Sequence, residues 1–71
     1  MKEFLRQYLP NFCWLDTYDV IAILEEEYKG AHFSYSSVKV TLRNLEKEGT
    51  VVTKQTEYGY GHIRKMYIRI S

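Results

Sequence analysis

The chain has 71 residues, a hydrophobic fraction of 45% and a formal net charge of +1. This length supports one small domain, and the hydrophobic content is typical of a globular chain rather than a disordered one. No apolar stretch approaches the roughly 20 residues that cross a bilayer, and the N-terminus lacks the apolar segment of a signal peptide. A single cysteine, Cys13, excludes an internal disulfide. We therefore expect one domain, residues 1–71, in the cytoplasm.

The N-terminal half contains two predicted helices. The first spans about residues 2–9 and ends at the proline that follows, because a residue before proline disfavours the helical conformation. A short apolar run, residues 12–15, is a candidate strand that would pair with a later one. The second helix is capped by Asp16 or Thr17 and continues to about residue 28. Its apolar face is expected to consist of Val20, Ile21, Leu24 and Tyr28.

The segment from Ser34 to Gly49 predicts a third helix. The Ser34 hydroxyl can cap its start, and Gly49 supplies the left-handed residue that ends it. Four residues at helical spacing form a stripe that is expected to face the core: Tyr35, Val38, Leu42 and Leu45. The opposite face combines small, apolar and long polar side chains: Ser36, Val40, Arg43, Asn44 and Lys47.

Two β-prone stretches follow, residues 51–58 and 62–70, and the sequence Gly59-Tyr60-Gly61 separates them. A glycine-flanked tip between two strands indicates a hairpin. The second stretch alternates in polarity, and its apolar residues are expected to form the buried face: Met66, Ile68 and Ile70. The fold class is therefore α+β, with three helices, a C-terminal two-stranded β-hairpin and a short candidate third strand. This order is that of a winged helix-turn-helix domain.

The net charge hides an asymmetry between the two halves of the chain. Residues 1–33 hold three basic and six acidic side chains, a net charge of −3, whereas residues 34–71 hold seven basic and three acidic ones, a net charge of +4. All the excess positive charge thus lies in the third helix and the hairpin. This distribution is typical of a phosphate-binding face backed by an acidic one.

Three motifs carry a resemblance to a known family. They are Tyr18-Asp19-Val20-Ile21, then Ser37-Val38 with Leu42, Leu45-Glu46 and Gly49, then Arg64, Lys65, Tyr67, Arg69, Ile70 and Ser71. Over residues 17 to 71 the chain resembles the winged-helix transcription factors, most closely the DNA-binding core of PadR-type regulators. Its small size also resembles that of regulators carried by viruses and mobile elements. The resemblance implies a transcriptional regulator.

The third helix, about residues 35–48, is predicted to enter the major groove of duplex DNA, and the hairpin wing, residues 51–70, to lie on the backbone or minor groove. The predicted DNA-binding residues are Ser36, Ser37, Lys39, Val40, Arg43, Asn44, Lys47, Lys54, Tyr60, His62, Arg64 and Lys65. Arg43 suits a guanine contact, and Val40 suits a thymine methyl group. The alternative is that the cations are ordinary solvated residues and that Tyr58, Tyr60 and His62 only stabilise the hairpin.

The N-terminal segment holds more apolar side chains than a small core needs. Phe4, Leu5, Tyr8 and Leu9, followed by Phe12 and Trp14, are predicted to form a homodimer interface. Alternatively, these side chains complete the core of a monomer.

The sequence has no phosphate-cradling glycine loop and no nucleophile elbow, so we expect no enzymatic activity. His32 and His62 have no cysteine or clustered carboxylate at ligand spacing, so we expect no metal and no other cofactor. No small-molecule ligand is evident in the sequence, and no membrane partner is expected. Two other functions remain open, a winged helix that binds proteins and a single-stranded nucleic-acid binder. The polar face of the third helix favours duplex DNA over the first, and the lack of an aromatic-rich sheet surface favours it over the second.

Overall fold

The computed structural model describes residues 1–57 and 59–70, so Tyr58 and Ser71, which the sequence assigns to the hairpin and to the PadR-like motif, lie outside the described residues. Five elements follow one another: α1 Lys2–Tyr8, α2 Thr17–Glu27, α3 Tyr35–Glu48, β1 Val51–Glu57 and β2 Ile63–Arg69. The predicted α+β class and the order of the elements are confirmed. In the described ranges, no helix is long and apolar enough to cross a membrane.

The predicted helix caps of α2 and α3 are present. The Ser34 hydroxyl accepts a hydrogen bond from the Ser37 N–H at 3.2 Å, and Gly49 ends α3 with a φ of 84°. Asp16 rather than Thr17 caps α2, and it forms a reciprocal pair with Asp19. The Asp16 carboxylate accepts from the Asp19 N–H at 2.8 Å, and the Asp19 carboxylate accepts from the Asp16 N–H at 3.2 Å. These bonds satisfy donors that the first turn of a helix otherwise leaves unpaired.

Strands β1 and β2 form an antiparallel hairpin whose register runs from Val51 opposite Arg69 to Glu57 opposite Ile63. Leu15 pairs with Tyr67 on the other side of β2. The Leu15 N–H donates to the Tyr67 carbonyl at 2.9 Å, and the Tyr67 N–H donates to the Leu15 carbonyl at 2.7 Å. The predicted third strand is reduced to this single bridge, because the chain bends over residues 11–13.

Every element contributes to one hydrophobic core. The fully buried residues of this core are Leu5, Leu9, Val20, Leu24, Val38, Leu42, Leu45, Val51 and Tyr67. Helix α3 lies at its centre and packs against α1, α2 and β1. The core therefore fixes one side of α3 and leaves the other side for function.

The predicted buried face of β2 is wrong. Tyr67 is buried, whereas Ile70 is 56% exposed and Met66 and Ile68 are only half-buried. Burial raises the pKa of the Tyr67 phenol, and the side chain of Thr17, itself buried, partly opposes this rise. On the outer face of the hairpin, Lys54 Nζ lies 4.4 Å from the ring centre of Trp14.

One residue of the predicted α3 stripe is also corrected. Tyr35 is 42% exposed, whereas Val38, Leu42 and Leu45 are buried as expected. Tyr35 lies in the first turn of α3, and its ring packs against Tyr18 of α2 instead of the core, with the ring centres 5.0 Å apart.

Candidate nucleic-acid interface

The outward face of α3 carries most of the residues predicted to read base edges. Successive helical residues are rotated by about 100°, so five of the predicted residues share one stripe opposite the buried one. All five are exposed: Ser36, Val40, Arg43, Asn44 and Lys47. Their exposure is what the prediction requires, and their contact with DNA stays a prediction.

The side of α3 that faces the wing is fixed by Glu46. The Glu46 carboxylate accepts a hydrogen bond from the Thr53 hydroxyl at 2.9 Å and lies 3.6 Å from Lys65 Nζ. Glu46 thus joins α3 to both strands of the hairpin. As a result, the wing holds a defined position beside the outward face of α3.

The opposite side of α3 is held by α1 through Glu48. Lys2 Nζ lies 2.6 Å and Arg6 Nη2 lies 3.0 Å from the Glu48 carboxylate. The hydrogen bond from Lys2, and then that from Arg6, lowers the pKa of Glu48 below its ordinary value. The hydrogen bonds that Arg6 donates to the Glu3 and Glu48 carboxylates raise the pKa of Arg6. These contacts anchor the C-terminal end of α3.

An open groove of about 290 Å³ runs between α3 and β2. Its lining residues are Tyr35, Ser36, Lys39, Val40, Arg43, Lys65 and Tyr67. A second hollow of about 310 Å³ lies beside it and shares Tyr35, Lys39 and Lys65 with it. The structure therefore brings four predicted residues of α3 beside two of the wing: Ser36, Lys39, Val40 and Arg43 beside Arg64 and Lys65.

The cations on this surface fall into two groups. Three wing cations contact other side chains of the chain: Lys54 lies over Trp14, Arg64 lies 3.4 Å from the Asp16 carboxylate, and Lys65 pairs with Glu46. In contrast, no carboxylate among residues 1–57 and 59–70 lies within 4.0 Å of the Lys39, Arg43 or Lys47 nitrogens. The charge available to an anion is thus concentrated on α3.

The tip of the wing projects into solvent. Tyr60 is fully exposed, and its backbone φ is 27°. His62 is also exposed. The His62 N–H donates to the Gly59 carbonyl at 2.8 Å and closes the turn. The contacts of these two side chains with the DNA backbone or the minor groove stay predictions. Tyr58 lies outside the described residues.

The predicted dimer interface needs a correction. Leu5 and Leu9 are fully buried in the core of the single chain, so neither is available to a partner. Phe4 is half-buried against the core, Tyr8 is 64% exposed, and their ring centres are 5.2 Å apart. Phe12, beyond the end of α1, is 82% exposed.

Sequence reasoning missed a pair of tyrosines beside the groove. Tyr18 is 69% exposed and packs against Tyr35, and Lys39 Nζ lies 5.5 Å from the centre of the Tyr35 ring. Helical spacing from the buried Val20 indicates that Tyr18 faces outward. Its contact with Tyr35 depends on how α2 packs on α3, which no local pattern gives.

Metal binding receives no support from the arrangement of side chains. In the part of the chain that the structure describes, no group of three or more His, Cys, Asp or Glu residues could hold a metal ion.

The chain is similar in structure to Bacillus subtilis PadR, whose crystal structure was solved in complex with operator DNA. The TM-score is 0.77 and the sequence identity is 24%, over 97% of this chain and 39% of that chain. The likeness shows that the chain has a PadR-like winged-helix fold. The chain spans about two fifths of the length of the PadR chain. No protein-family model and no curated protein matches the sequence.

Proposed function

We propose that the chain is a sequence-specific duplex-DNA-binding protein that regulates transcription. The observation that carries the proposal is the outward face of α3, where Arg43 and Asn44 are exposed beside an open groove. The likeness of the fold to that of PadR, solved with operator DNA, supports it. A regulator of this kind works where the DNA is, so we place it in the cytoplasm. The function requires no catalytic group or cofactor.

In this proposal α3 lies in the major groove and reads base edges. The Arg43 guanidinium can donate two hydrogen bonds to a guanine, and the Asn44 amide can pair with an adenine. Val40 offers a methyl surface to thymine. Because Arg43 has no ion-pair partner within the described part of the chain, no internal contact has to be broken when it binds.

The wing adds contacts that position the protein without reading sequence. Lys54, Arg64 and Lys65 supply charge to the backbone, while Tyr60 and His62 at the tip extend toward the minor groove. Lys65 is held beside α3 by Glu46, Arg64 by Asp16 at the start of α2, and Lys54 by Trp14 on the outer face of the hairpin. Little side-chain freedom therefore remains to be lost on binding.

The composition of the same face argues against a protein-interaction function. The outward stripe of α3 contains one apolar side chain, Val40, among serine, arginine, asparagine and lysine. A face that docks on another protein usually has an apolar centre depleted of charge. The face of α3 has the reverse composition.

We also propose that the protein binds DNA as a homodimer. A single DNA-binding module buries only about 600–1,000 Å² of protein surface on DNA. A dimer that binds two half-sites about one helical turn apart gains the specificity that a single half-site does not provide. The proposed contact surface is a row of aromatic rings on α1, at the end of α2 and in the loop before α3, in which Phe4 and Phe33 are half-buried and Tyr8 and Tyr28 are exposed. Ring centres are 5.2 Å apart between Tyr8 and Phe4, 5.7 Å between Phe4 and Tyr28, and 6.0 Å between Tyr28 and Phe33.

Sedimentation equilibrium at micromolar concentration tests the dimer. Tyr8→Glu places a charge in the aromatic row and should yield a monomer, whereas Tyr60→Glu at the wing tip should leave the mass unchanged. Leu5→Glu is unsuitable because Leu5 lies in the core. A wild-type protein that stays monomeric up to about 100 μM while binding an asymmetric site tightly would contradict the dimer.

The DNA-binding function itself is tested by selecting binding sites from random duplexes at two salt concentrations. We expect one enriched motif at both concentrations, with two-fold symmetry if the protein is a dimer. Duplex binding without an enriched motif would contradict sequence specificity, and no duplex binding at either concentration would contradict the function as a whole.

A further inference from the structure

Two exposed tyrosines are packed together at the junction of α2 and α3. Tyr18 and Tyr35, the tyrosine pair, have ring centres 5.0 Å apart with an angle of 43° between the ring planes. They are 69% and 42% exposed, respectively. The contact restricts the rotation of both rings, while the exposed surface leaves the pair accessible. A phenol that is held in this way can meet a ligand with little loss of side-chain freedom.

The charge around the pair favours an anion. Among the described residues, Asp16 and Glu46 are the carboxylates that form ion pairs here, and each has a cationic partner, Arg64 at 3.4 Å and Lys65 at 3.6 Å. Lys39 lies over the Tyr35 ring at 5.5 Å, and no ion pair within the described chain neutralises it. Asp19, next to Tyr18, accepts a hydrogen bond from the Asp16 N–H at 3.2 Å and forms no ion pair with Lys39. Lys39 is thus the ammonium beside the two phenols.

The position of the pair relative to α3 indicates which part of a duplex it would meet. With about 100° of rotation per residue, Tyr35 and Lys39 project from the side of α3 that faces the wing, away from the centre of the outward stripe at Ser36 and Val40. Tyr35 and Lys39 also line both hollows between α3 and the wing. When the outward stripe meets base edges, a residue on the flank faces the sugar–phosphate backbone that borders the groove.

We propose that Tyr18, Tyr35 and Lys39 form a binding site for one backbone phosphate of duplex DNA. The phenol hydroxyls donate hydrogen bonds to the phosphate oxygens, and the Lys39 ammonium supplies the charge. Tyrosine hydroxyls and lysines are established donors to DNA phosphates. The site rests on the proposed function, and it positions α3 in the groove without reading sequence.

Tyr18→Phe and Tyr35→Phe test the proposal, singly and together, because each keeps the ring contact and removes only the hydroxyl. The duplexes are one that carries the selected motif and an unrelated one of equal length. We expect the double variant to lose about tenfold in affinity for both duplexes, as a hydrogen bond to a charged group predicts. Lys29→Ala, which removes an exposed cation outside the tyrosine pair, α3 and the wing, is the control and should bind like wild type.

Neutral methylphosphonate linkages, placed one at a time along the motif duplex, locate the site. For wild type, one linkage at the border of the major groove should weaken binding, and the double variant should be insensitive to the same linkage. The proposed site would be overturned if the double variant bound both duplexes as tightly as wild type does. It would also be overturned if the double variant lost affinity for the motif duplex alone. If wild type prefers a single-stranded oligonucleotide to the duplex, Tyr35→Ala and Tyr35→Phe identify the cause. Loss of this preference in Tyr35→Ala, with retention in Tyr35→Phe, would show that the ring of Tyr35 stacks on bases instead of binding a phosphate. In each of these cases wild type still binds DNA. If the proposed function were wrong, wild type itself would not bind duplex DNA.

Discussion

Arg69 near the end of β2 donates a hydrogen bond from its Nε to the backbone carbonyl oxygen of Leu9 at 2.7 Å. The Arg69 N–H also donates to the Pro10 carbonyl at 3.4 Å. These bonds tie the base of the wing to the chain that leaves α1. Arg69 contributes to the +4 charge of residues 34–71, yet its guanidinium serves the fold rather than the DNA-binding surface. Counting charges along the sequence does not separate the two roles.

Replacing Arg69 should therefore affect stability more than DNA affinity. Arg69→Lys retains a positive charge but lacks the Nε–H that reaches the Leu9 carbonyl, and we expect it to lower the free energy of unfolding by about 1–2 kcal/mol. Urea unfolding measures this loss. The matched control is Arg43→Lys on the exposed face of α3, where we expect a change within about 0.5 kcal/mol. Equal stability of the Arg69 variant and wild type would show that the bond contributes nothing.

Acid should weaken the attachment of α1 to α3. The hydrogen bonds from Lys2 and Arg6 lower the pKa of Glu48 below its ordinary value of 4.5. A lowered pKa in the folded state means that the contribution to stability is present above pH 4.5 and is lost as the pH falls through the folded-state pKa. Glu48→Gln should thus lower the melting temperature at pH 7, and its difference from wild type should vanish in acid.

Glu27→Gln is the control for that experiment, because Glu27 is an exposed glutamate at the end of α2 that forms no ion pair within the described residues. It should melt like wild type throughout the pH range. A difference between Glu48→Gln and wild type that persists unchanged in acid would mean that ionisation of Glu48 is not its cause.

Affinity for duplex DNA should fall steeply with salt. If each protomer neutralises about four to six phosphates, log affinity should decline with log salt at a slope of about −3.6 to −5.4 per protomer. Lys47→Ala, which removes an unpaired cation of α3, should reduce the slope by about 0.9. Lys29→Ala, in the acidic half of the chain, should leave the slope unchanged. Titrations by fluorescence anisotropy at several salt concentrations supply these values, and a salt-independent affinity would be incompatible with phosphate binding.

Local signals were sufficient to predict the helices and the hairpin. A hydroxyl at Ser34 and a glycine at position 49 mark the two ends of α3 because capping depends only on residues adjacent in sequence. The spacing of Val38, Leu42 and Leu45 likewise identifies the buried side of α3. The outward face that carries the proposed function follows directly from that stripe.

Features that depend on packing between elements were not predictable in the same way. Polarity favoured Met66 and Ile68 as the inner residues of β2. The core instead contains Tyr67, whose side chain lies beside Thr17 of α2. Lys65 and Arg69, on the same side of β2 as Tyr67, reach Glu46 and the Leu9 carbonyl with their polar ends. Long cationic side chains can thus line an inward face when partners lie within reach.

The role of α3 is tested most directly by repeating the binding-site selection with Arg43→Ala, alongside Lys65→Ala as a control on the wing. If Arg43 reads a guanine, its loss should cost about 1–3 kcal/mol on the wild-type motif and relax the preference at one base position. Lys65→Ala should weaken binding to all duplexes alike and leave the motif intact. An unchanged motif and an unchanged affinity for Arg43→Ala would contradict the placement of α3 in the major groove.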